Sequence, residues 1–191
     1  WLTCFTMLAL LLMSCLAIGH SGLYHLGGWP TPIGIDLRLD PLATLMLLVI
    51  NSVGFAVSLY SIDYMQLYTA RGYFFGLFLL MITGMNGVVL AGDLFNLYVF
   101  MEITAIASYA LVAFEGGDED LEASFKYAVL GGLSSSVILV GIALVYGMTG
   151  TLNLTHLASR LNEMDSTAPI HFALALFVCG FSFLGSNIMC W

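Results

Sequence analysis

The sequence predicts an all-α integral membrane protein, folded as a bundle of about six transmembrane helices. Of its 191 residues, 60% are hydrophobic and only 8% are charged, and the mean hydropathy is +0.99. Soluble domains carry about a quarter charged residues, so this composition excludes an ordinary soluble fold. A net charge of −8 with only four Lys and Arg residues also argues against a nucleic-acid partner.

Six apolar runs of about 20 residues are each long enough to cross a bilayer as a helix. The bilayer core cannot hydrogen-bond an open strand, so each run is predicted to be helical. We expect a single transmembrane domain over residues 1–191, with helices near 2–19, 41–62, 73–91, 94–114, 122–148 and 168–191.

Local signals set the bounds of the first two helices. The run 2–19 has no cationic leader and no small-residue cleavage site, so we expect a membrane helix there rather than a signal peptide. Glycines, prolines and Trp29 in 20–40 predict a loop at a membrane interface. Asp40 followed by Pro41 predicts the start of the second helix, because Asp caps helix N-termini and Pro suits the first turn.

The later bounds follow in the same way. The apolar stretch 73–114 is too long for one span, and Gly92-Asp93 divides it, with Asp93 as the N-cap of the fourth helix. The polar residues 115–120 predict a turn before the fifth helix. The mixed segment 150–167 is expected to hold a short interfacial helix before the last span.

Alternation of the spans places the connections on two sides of the membrane. Side A receives 20–40, 92–93 and 149–167, and side B receives 61–72 and 115–121. Each side then carries two of the four Lys and Arg residues, so the positive-inside rule does not decide the orientation.

Glu102 is the candidate functional residue, because it lies deep in the fourth apolar run. Carboxylates at membrane depth cost several kcal/mol on most scales, and they mark ion pathways by default. Helical spacing places Tyr98 and Tyr109 on the same face, where they could hydrogen-bond the carboxylate or order water beside it. The alternative is a neutral, hydrogen-bonded structural Glu.

Lys126 is the cation expected nearest to this carboxylate, but the depths differ. Lys126 lies about 6 Å below side B, whereas Glu102 lies about 18 Å below it, so water or another residue is expected between them. Glu122, at i−4, is the expected direct partner of Lys126. A structural role for Lys126 and a functional one both stay open.

Two further polar groups are candidates for a water chain. Ser134 lies in the small-residue stretch 131–136 of the fifth helix, where close helix packing is the favoured interpretation and a hydrated path the alternative. Asn86 is an intramembrane polar residue of the third helix that could serve either role.

The four histidines raise a haem-anchoring alternative, with His25 and His156 expected in loops, but interfacial roles fit them better. We expect no cofactor and no metal.

Several blocks of the sequence resemble a known family. GMNGVVLAGDLFNLYVFME over residues 84–102, SFKY over 124–127 and YGMTGTLN over 146–153 resemble the antiporter-like membrane subunits of respiratory complex I and its relatives. LGGWPTPIGID over residues 26–36, followed by DPLA over 40–43, is most similar to the D subunit of Mrp-type cation/proton antiporters.

The resemblance implies a longer parent of about fourteen helices with two inverted repeats, of which this chain is an N-terminal part. It implies that Glu102 takes part in proton translocation, together with a Lys on the helix that is last here. Lys126 matches a frequent family position. In this sequence Leu184 stands at the expected Lys position, and no Pro-Leu-His segment follows. A site without that cation is expected to couple poorly.

The first functional hypothesis is proton or proton/sodium translocation as a subunit of an Mrp-type antiporter in a bacterial or archaeal cytoplasmic membrane. The alternatives are a proton-pumping membrane subunit of complex I or of a membrane-bound hydrogenase, and a non-conducting structural subunit. The expected partners are other membrane subunits, the lipid bilayer, and protons, with or without sodium. Catalysis by the chain alone is not expected.

Overall fold

The computed structural model describes residues 1–29, 34–67, 71–163 and 168–189, and it confirms an all-α integral membrane fold. The α-helices of the described ranges are α1 (Leu2–Leu16), α2 (Pro41–Tyr64), α3 (Arg71–Leu90), α4 (Leu94–Val112), α5 (Asp118–Thr149), α6 (Leu154–Glu163) and α7 (Ala168–Met189). The predicted end of the last helix at Trp191 lies outside the described residues.

Five helices of the described part are long and apolar enough to cross a membrane, namely α2, α3, α4, α5 and α7. Helix α1 is apolar but has 15 residues, which correspond to about 22 Å of helix against a hydrocarbon core of about 30 Å. Five of the six predicted spans therefore meet the length requirement. Large apolar side chains such as Leu133 and Val178 face outward, as expected for helices in contact with lipid.

Helix starts follow the predicted caps at Asp40 and Asp93. The Asp40 carboxylate accepts a hydrogen bond from the Ala43 N–H at 2.8 Å, with Pro41 in the first turn. Helix α5 begins at Asp118, earlier than predicted, so the polar turn is shorter. Three acidic residues then occupy its first turn, where they interact favourably with the helix dipole.

The segment predicted as an interfacial loop contains a β-hairpin instead. Strand β1 (Gly22–His25) pairs antiparallel with strand β2 (Asp36–Leu39), and His25 stands opposite Asp36. His25 therefore lies on a strand, and His156 lies on α6, so the prediction that both are in loops was wrong. The predicted short helix in 150–167 is confirmed as α6.

Asp36 joins the three side-A connections at what we call the side-A junction (His25, Asp36, Gly92 and Asn153). Its carboxylate, 2% exposed, meets His25 Nδ1 at 2.6 Å and accepts from Asn153 Nδ2 at 2.9 Å. Its main-chain oxygen accepts from the Gly92 N–H at 2.9 Å, and Gly92 accepts from the Leu154 N–H at 3.1 Å. The predicted placement of these connections on one side is confirmed.

We expect Asp36→Ala to lower the free energy of unfolding by about 1–3 kcal/mol, because it leaves the buried Asn153 amide without its acceptor. Thermal unfolding of the purified protein measures this. Glu163→Ala, at the exposed end of α6, is the control and should change stability by no more than about 0.5 kcal/mol. Equal effects of the two substitutions would contradict a stabilising junction.

Among the described residues, two apolar clusters hold the helices together. Met7 of α1 packs with Phe78 and Ile82 of α3, and Leu157 of α6 packs with Val145 of α5 and Ala173 of α7. The second cluster explains why α6 lies against the bundle, since Leu157 belongs to the apolar side of an amphipathic helix.

Candidate functional site

Helix α4 carries Glu102, and its start is fixed by Asp93. The Asp93 carboxylate accepts from the N–H groups of Phe95 and Asn96 at 2.9 and 3.0 Å. Glu102 is the ninth residue of the helix, so it lies about 12 Å from the side-A end. The predicted depth of the carboxylate therefore follows from the cap and the helical rise.

Glycines of α3 let α4 approach closely and fix which face of α4 points inward. A Cβ atom on Gly87 would overlap the Phe100 ring, and one on Gly84 would overlap Thr104 Oγ1. Only glycine tolerates such an approach without a shift of the helices. Glu102 lies between Phe100 and Thr104 in sequence, so this packing constrains its position.

Glu102 opens into a cavity of about 410 Å³ between the helices. Residues of α2, α3, α4, α5 and α7 line it, and Glu102 is the only charged one among the described lining residues. The polar lining is completed by Thr104, Ser108, Tyr109, Tyr127 and Ser135. The apolar lining includes Ile50, Met81, Met85, Met101 and Leu184. A cavity of this size can hold several water molecules near the carboxylate.

Tyr109 shapes the side of the cavity formed by α4 and α5. Its ring meets the Tyr127 ring edge-on at a centroid distance of 4.8 Å, and its hydroxyl lies directly over Gly131, where a Cβ atom would collide with it. The Ser124 hydroxyl donates to the Tyr109 carbonyl at 2.8 Å. Glu102 and Tyr109, predicted to share a helix face, thus line the same cavity.

Lys126 lies apart from this cavity. Its ammonium group pairs with Glu122, as predicted from the i−4 spacing, and its side chain is 53% exposed. Lys126 is not among the lining residues. Because α5 begins at Asp118, Lys126 is its ninth residue and lies about 12 Å from the helix start, so the predicted depth of about 6 Å was wrong.

The other predicted water-chain residues also lie outside the cavity. Tyr98 stacks against Phe95 at a centroid distance of 6.3 Å. Ser134 is buried against α7, where its carbonyl lies close to Gly180, which supports the close-packing interpretation. The next residue, Ser135, is the one that faces the cavity.

Asn86 belongs to a hydrogen-bonded pair that the sequence interpretation missed. Its Nδ2 donates to Asn51 Oδ1 at 3.1 Å, and Asn51 is 2% exposed within α2. The signal was available, because Asn51 is an intramembrane polar residue just as Asn86 is. Asp36 and Asn153 were missed for a different reason, since no local pattern indicates a contact across 117 positions.

Leu184 lines the cavity that contains Glu102. The position at which the resemblance implies a Lys is therefore inside the candidate site, and here it is apolar. Within the described lining, no cation faces the Glu102 carboxylate.

These features define a polytopic α-helical membrane protein with a carboxylate in a cavity between its helices. The family described as "NADH:quinone oxidoreductase/Mrp antiporter, TM" matches residues 91–189, more than half of the chain. The chain belongs to this family. A second match, to "NADH-Ubiquinone oxidoreductase (complex I), chain 5 N-terminus", covers residues 29–75.

Curated relatives come from both branches of the predicted resemblance, which is thereby confirmed. The chain is 39% identical over 174 residues to the N subunit of the NADH-quinone oxidoreductase of Desulforudis audaxviator, covering 90% of this chain and 34% of the relative. It is 35% identical over 161 residues to the D subunit of the Na(+)/H(+) antiporter of Alkalihalophilus pseudofirmus, covering 84% and 33%. The chain thus spans about a third of the length of these relatives.

Two solved structures are similar over almost the whole chain. An archaeal membrane-bound sulfane sulfur reductase contains a chain with 41% identity and a TM-score of 0.87, covering 94% of this chain and 38% of that one. The Mrp complex from Dietzia sp. contains a chain with 26% identity and a TM-score of 0.83, and the match covers 95% of this chain and 35% of that one.

Proposed function

We propose that this chain forms part of a proton-translocating subunit of an Mrp-type cation/proton antiporter, with Glu102 as the group that takes up and releases the proton. The observation that carries the proposal is the position of Glu102 as the sole charged group in the described lining of an intramembrane cavity. Intramembrane acids facing such cavities commonly serve ion pathways. Relatives named as D subunits of Na(+)/H(+) antiporters support the antiporter branch.

Within this proposal, water in the cavity relays protons between Glu102 and the two membrane surfaces. Tyr109 and Ser135 would order that water, and both line the cavity. Roles for Tyr98, Ser134 and Asn86 require water that extends beyond it. Lys126 would act through water rather than by direct contact with Glu102. The driving force would come from other membrane subunits, since the similar structures are complexes.

The second candidate function is proton pumping in a respiratory complex. It is supported by the 39% identity to the N subunit of a NADH-quinone oxidoreductase and by the similarity to a chain of an archaeal respiratory membrane complex. In this case electron transfer in partner subunits, rather than a sodium gradient, would drive the proton movement.

The test is Glu102→Gln in the full-length subunit within its assembled complex in sealed vesicles. Loss of proton movement with unchanged assembly is expected, because Gln keeps the shape of the side chain but cannot carry the proton. The matched control is Glu163→Gln on the exposed end of α6, which should transport normally. Unchanged transport by the Glu102 variant would overturn the proposal and favour a structural subunit. Driving the vesicles with a sodium gradient or with a reductant separates the two branches.

A further inference from the structure

Three hydrogen-bonded polar side chains form a row across α1, α2 and α3, which we call the polar ladder (Ser14, Asn51 and Asn86). Asn86 Nδ2 donates to Asn51 Oδ1 at 3.1 Å, and Asn51 Nδ2 donates to Ser14 Oγ at 2.8 Å. Ser14 and Asn51 are 5% and 2% exposed. Burying an amide at membrane depth costs free energy unless the amide is hydrogen-bonded, so these contacts stabilise the two Asn side chains.

The hydrogen bonds of the ladder all run in one direction. The Ser14 hydroxyl donates to the Leu10 carbonyl at 2.9 Å, so its oxygen is left to accept from Asn51 Nδ2. Asn51 Oδ1 then faces Asn86 and accepts a hydrogen bond from Asn86 Nδ2. In this arrangement Asn86 Oδ1 is the terminal acceptor of the ladder.

Asn86 Oδ1 is buried and has no hydrogen-bond partner among the described residues. A buried carbonyl oxygen without a donor is rare in native proteins and is usually met by an ordered water or a ligand. The chemistry of the acceptor specifies a hydrogen-bond donor, and water is the donor available at every membrane surface.

The ladder runs beside the Glu102 cavity. Ile50 and Met85, the chain neighbours of Asn51 and Asn86, both line that cavity. Asn86 lies four residues from the side-A end of α3 and fifteen from its other end, and Gly84, two residues before it, packs against the α4 backbone at Phe100 and Thr104, which flank Glu102. Asn86 is thus beside the Glu102 cavity and nearer to the side-A end of its helix than to the side-B end.

We propose that Asn86 Oδ1 binds water and that the polar ladder is the route by which water, and with it the proton, passes between side A and the Glu102 cavity. The proton step of this proposal rests on the proposed function of Glu102. Asn51 and Ser14 hold Asn86 in place, and Asn86 itself contacts the water.

Cysteine accessibility tests the hydration of this site. Asn86→Cys is placed in the full-length subunit, freed of its other cysteines and assembled in its complex. Ag⁺ is then added to each side of the membrane in turn. We expect reaction from side A at least about tenfold faster than for Thr83→Cys, on the exposed face of the same helix, because thiolates form in water and not in lipid. Equal rates, or reaction only from side B, would overturn the proposal.

Transport by two variants supplies the second measurement. Asn86→Leu should slow proton movement by about two- to tenfold, the effect of losing one ordinary hydrogen bond. Asn86→Gln keeps an amide with both a donor and an acceptor and should retain more of the rate than Asn86→Leu, and equal rates for the two variants would contradict the route. Labelling of Asn86→Cys together with full transport by Glu102→Gln would reject the function of Glu102 but keep the water site. If Asn86→Cys reacts no faster than Thr83→Cys and Glu102→Gln loses transport, the ladder is rejected and the function of Glu102 is kept.

Discussion

Replacing Leu184 with Lys is expected to introduce a cation that pairs with Glu102 across the cavity. Both residues line this cavity, and the described lining contains no other charge. The expected effect on stability depends on Glu102. An unpaired Lys here should lower the free energy of unfolding by about 3–5 kcal/mol, whereas a Lys paired with the carboxylate should lower it far less.

A double-mutant cycle measures this dependence. Unfolding of the purified complex is compared for the parent, Leu184→Lys, Glu102→Gln and the double variant, and the coupling is expected to be about 2 kcal/mol or more in favour of the pair. Leu184→Met, which conserves volume and adds no charge, is the control and should be close to neutral. If Leu184→Lys destabilises the parent and the Glu102→Gln variant by the same amount, the two positions do not interact.

The same variants connect stability to transport. If the site works through a carboxylate and a cation, Leu184→Lys should raise proton movement, and the gain should vanish in the Glu102→Gln background. A stable ion pair without any gain in transport would indicate that the parent site obtains its cation elsewhere.

Local chemistry was enough to predict the framework of this site from sequence. Asp40 and Asp93 cap helices through bonds to N–H groups two or three residues away, so the pattern is visible in a short window. The depth of Glu102 follows from Asp93 and the rise of a helix. Its shared face with Tyr109 follows from seven-residue spacing, which returns a side chain to nearly the same direction.

The features that the sequence did not predict depend on distant partners. Asp36 resembles any loop carboxylate until Asn153 is brought to it across 117 positions. Which serine of 134–136 faces the cavity depends on how α5 is rotated against α7, and this rotation is set by Gly180 packing against Ile138. The ladder is an intermediate case, because its members were visible as intramembrane polar residues but their mutual contacts were not.

The close contact between α3 and α4 gives the second large prediction, since it positions Glu102. Gly84→Ala would drive a Cβ atom into Thr104 Oγ1 and place it 2.8 Å from the Thr104 nitrogen and 3.0 Å from the Phe100 carbonyl oxygen. A hydroxyl can rotate away, but the two backbone atoms can move only if α4 shifts as a unit. We therefore expect a loss of about 3 kcal/mol in the free energy of unfolding, at the upper end of the usual range for overpacking.

Gly76→Ala on the same helix is the matched control, because no described atom outside the adjacent turns of α3 lies within 4 Å of its added Cβ. Alanine is the better helix former, so this variant should be more stable than the parent by about 0.5–1 kcal/mol. Thermal unfolding of the purified complex should thus change in opposite directions for the two variants. Helix propensity contributes the same favourable amount at both positions, so the difference between them isolates the α3–α4 contact. Proton transport should fall with Gly84→Ala and not with Gly76→Ala, because Thr104 is two residues from Glu102 and any shift of α4 moves the carboxylate relative to the cavity.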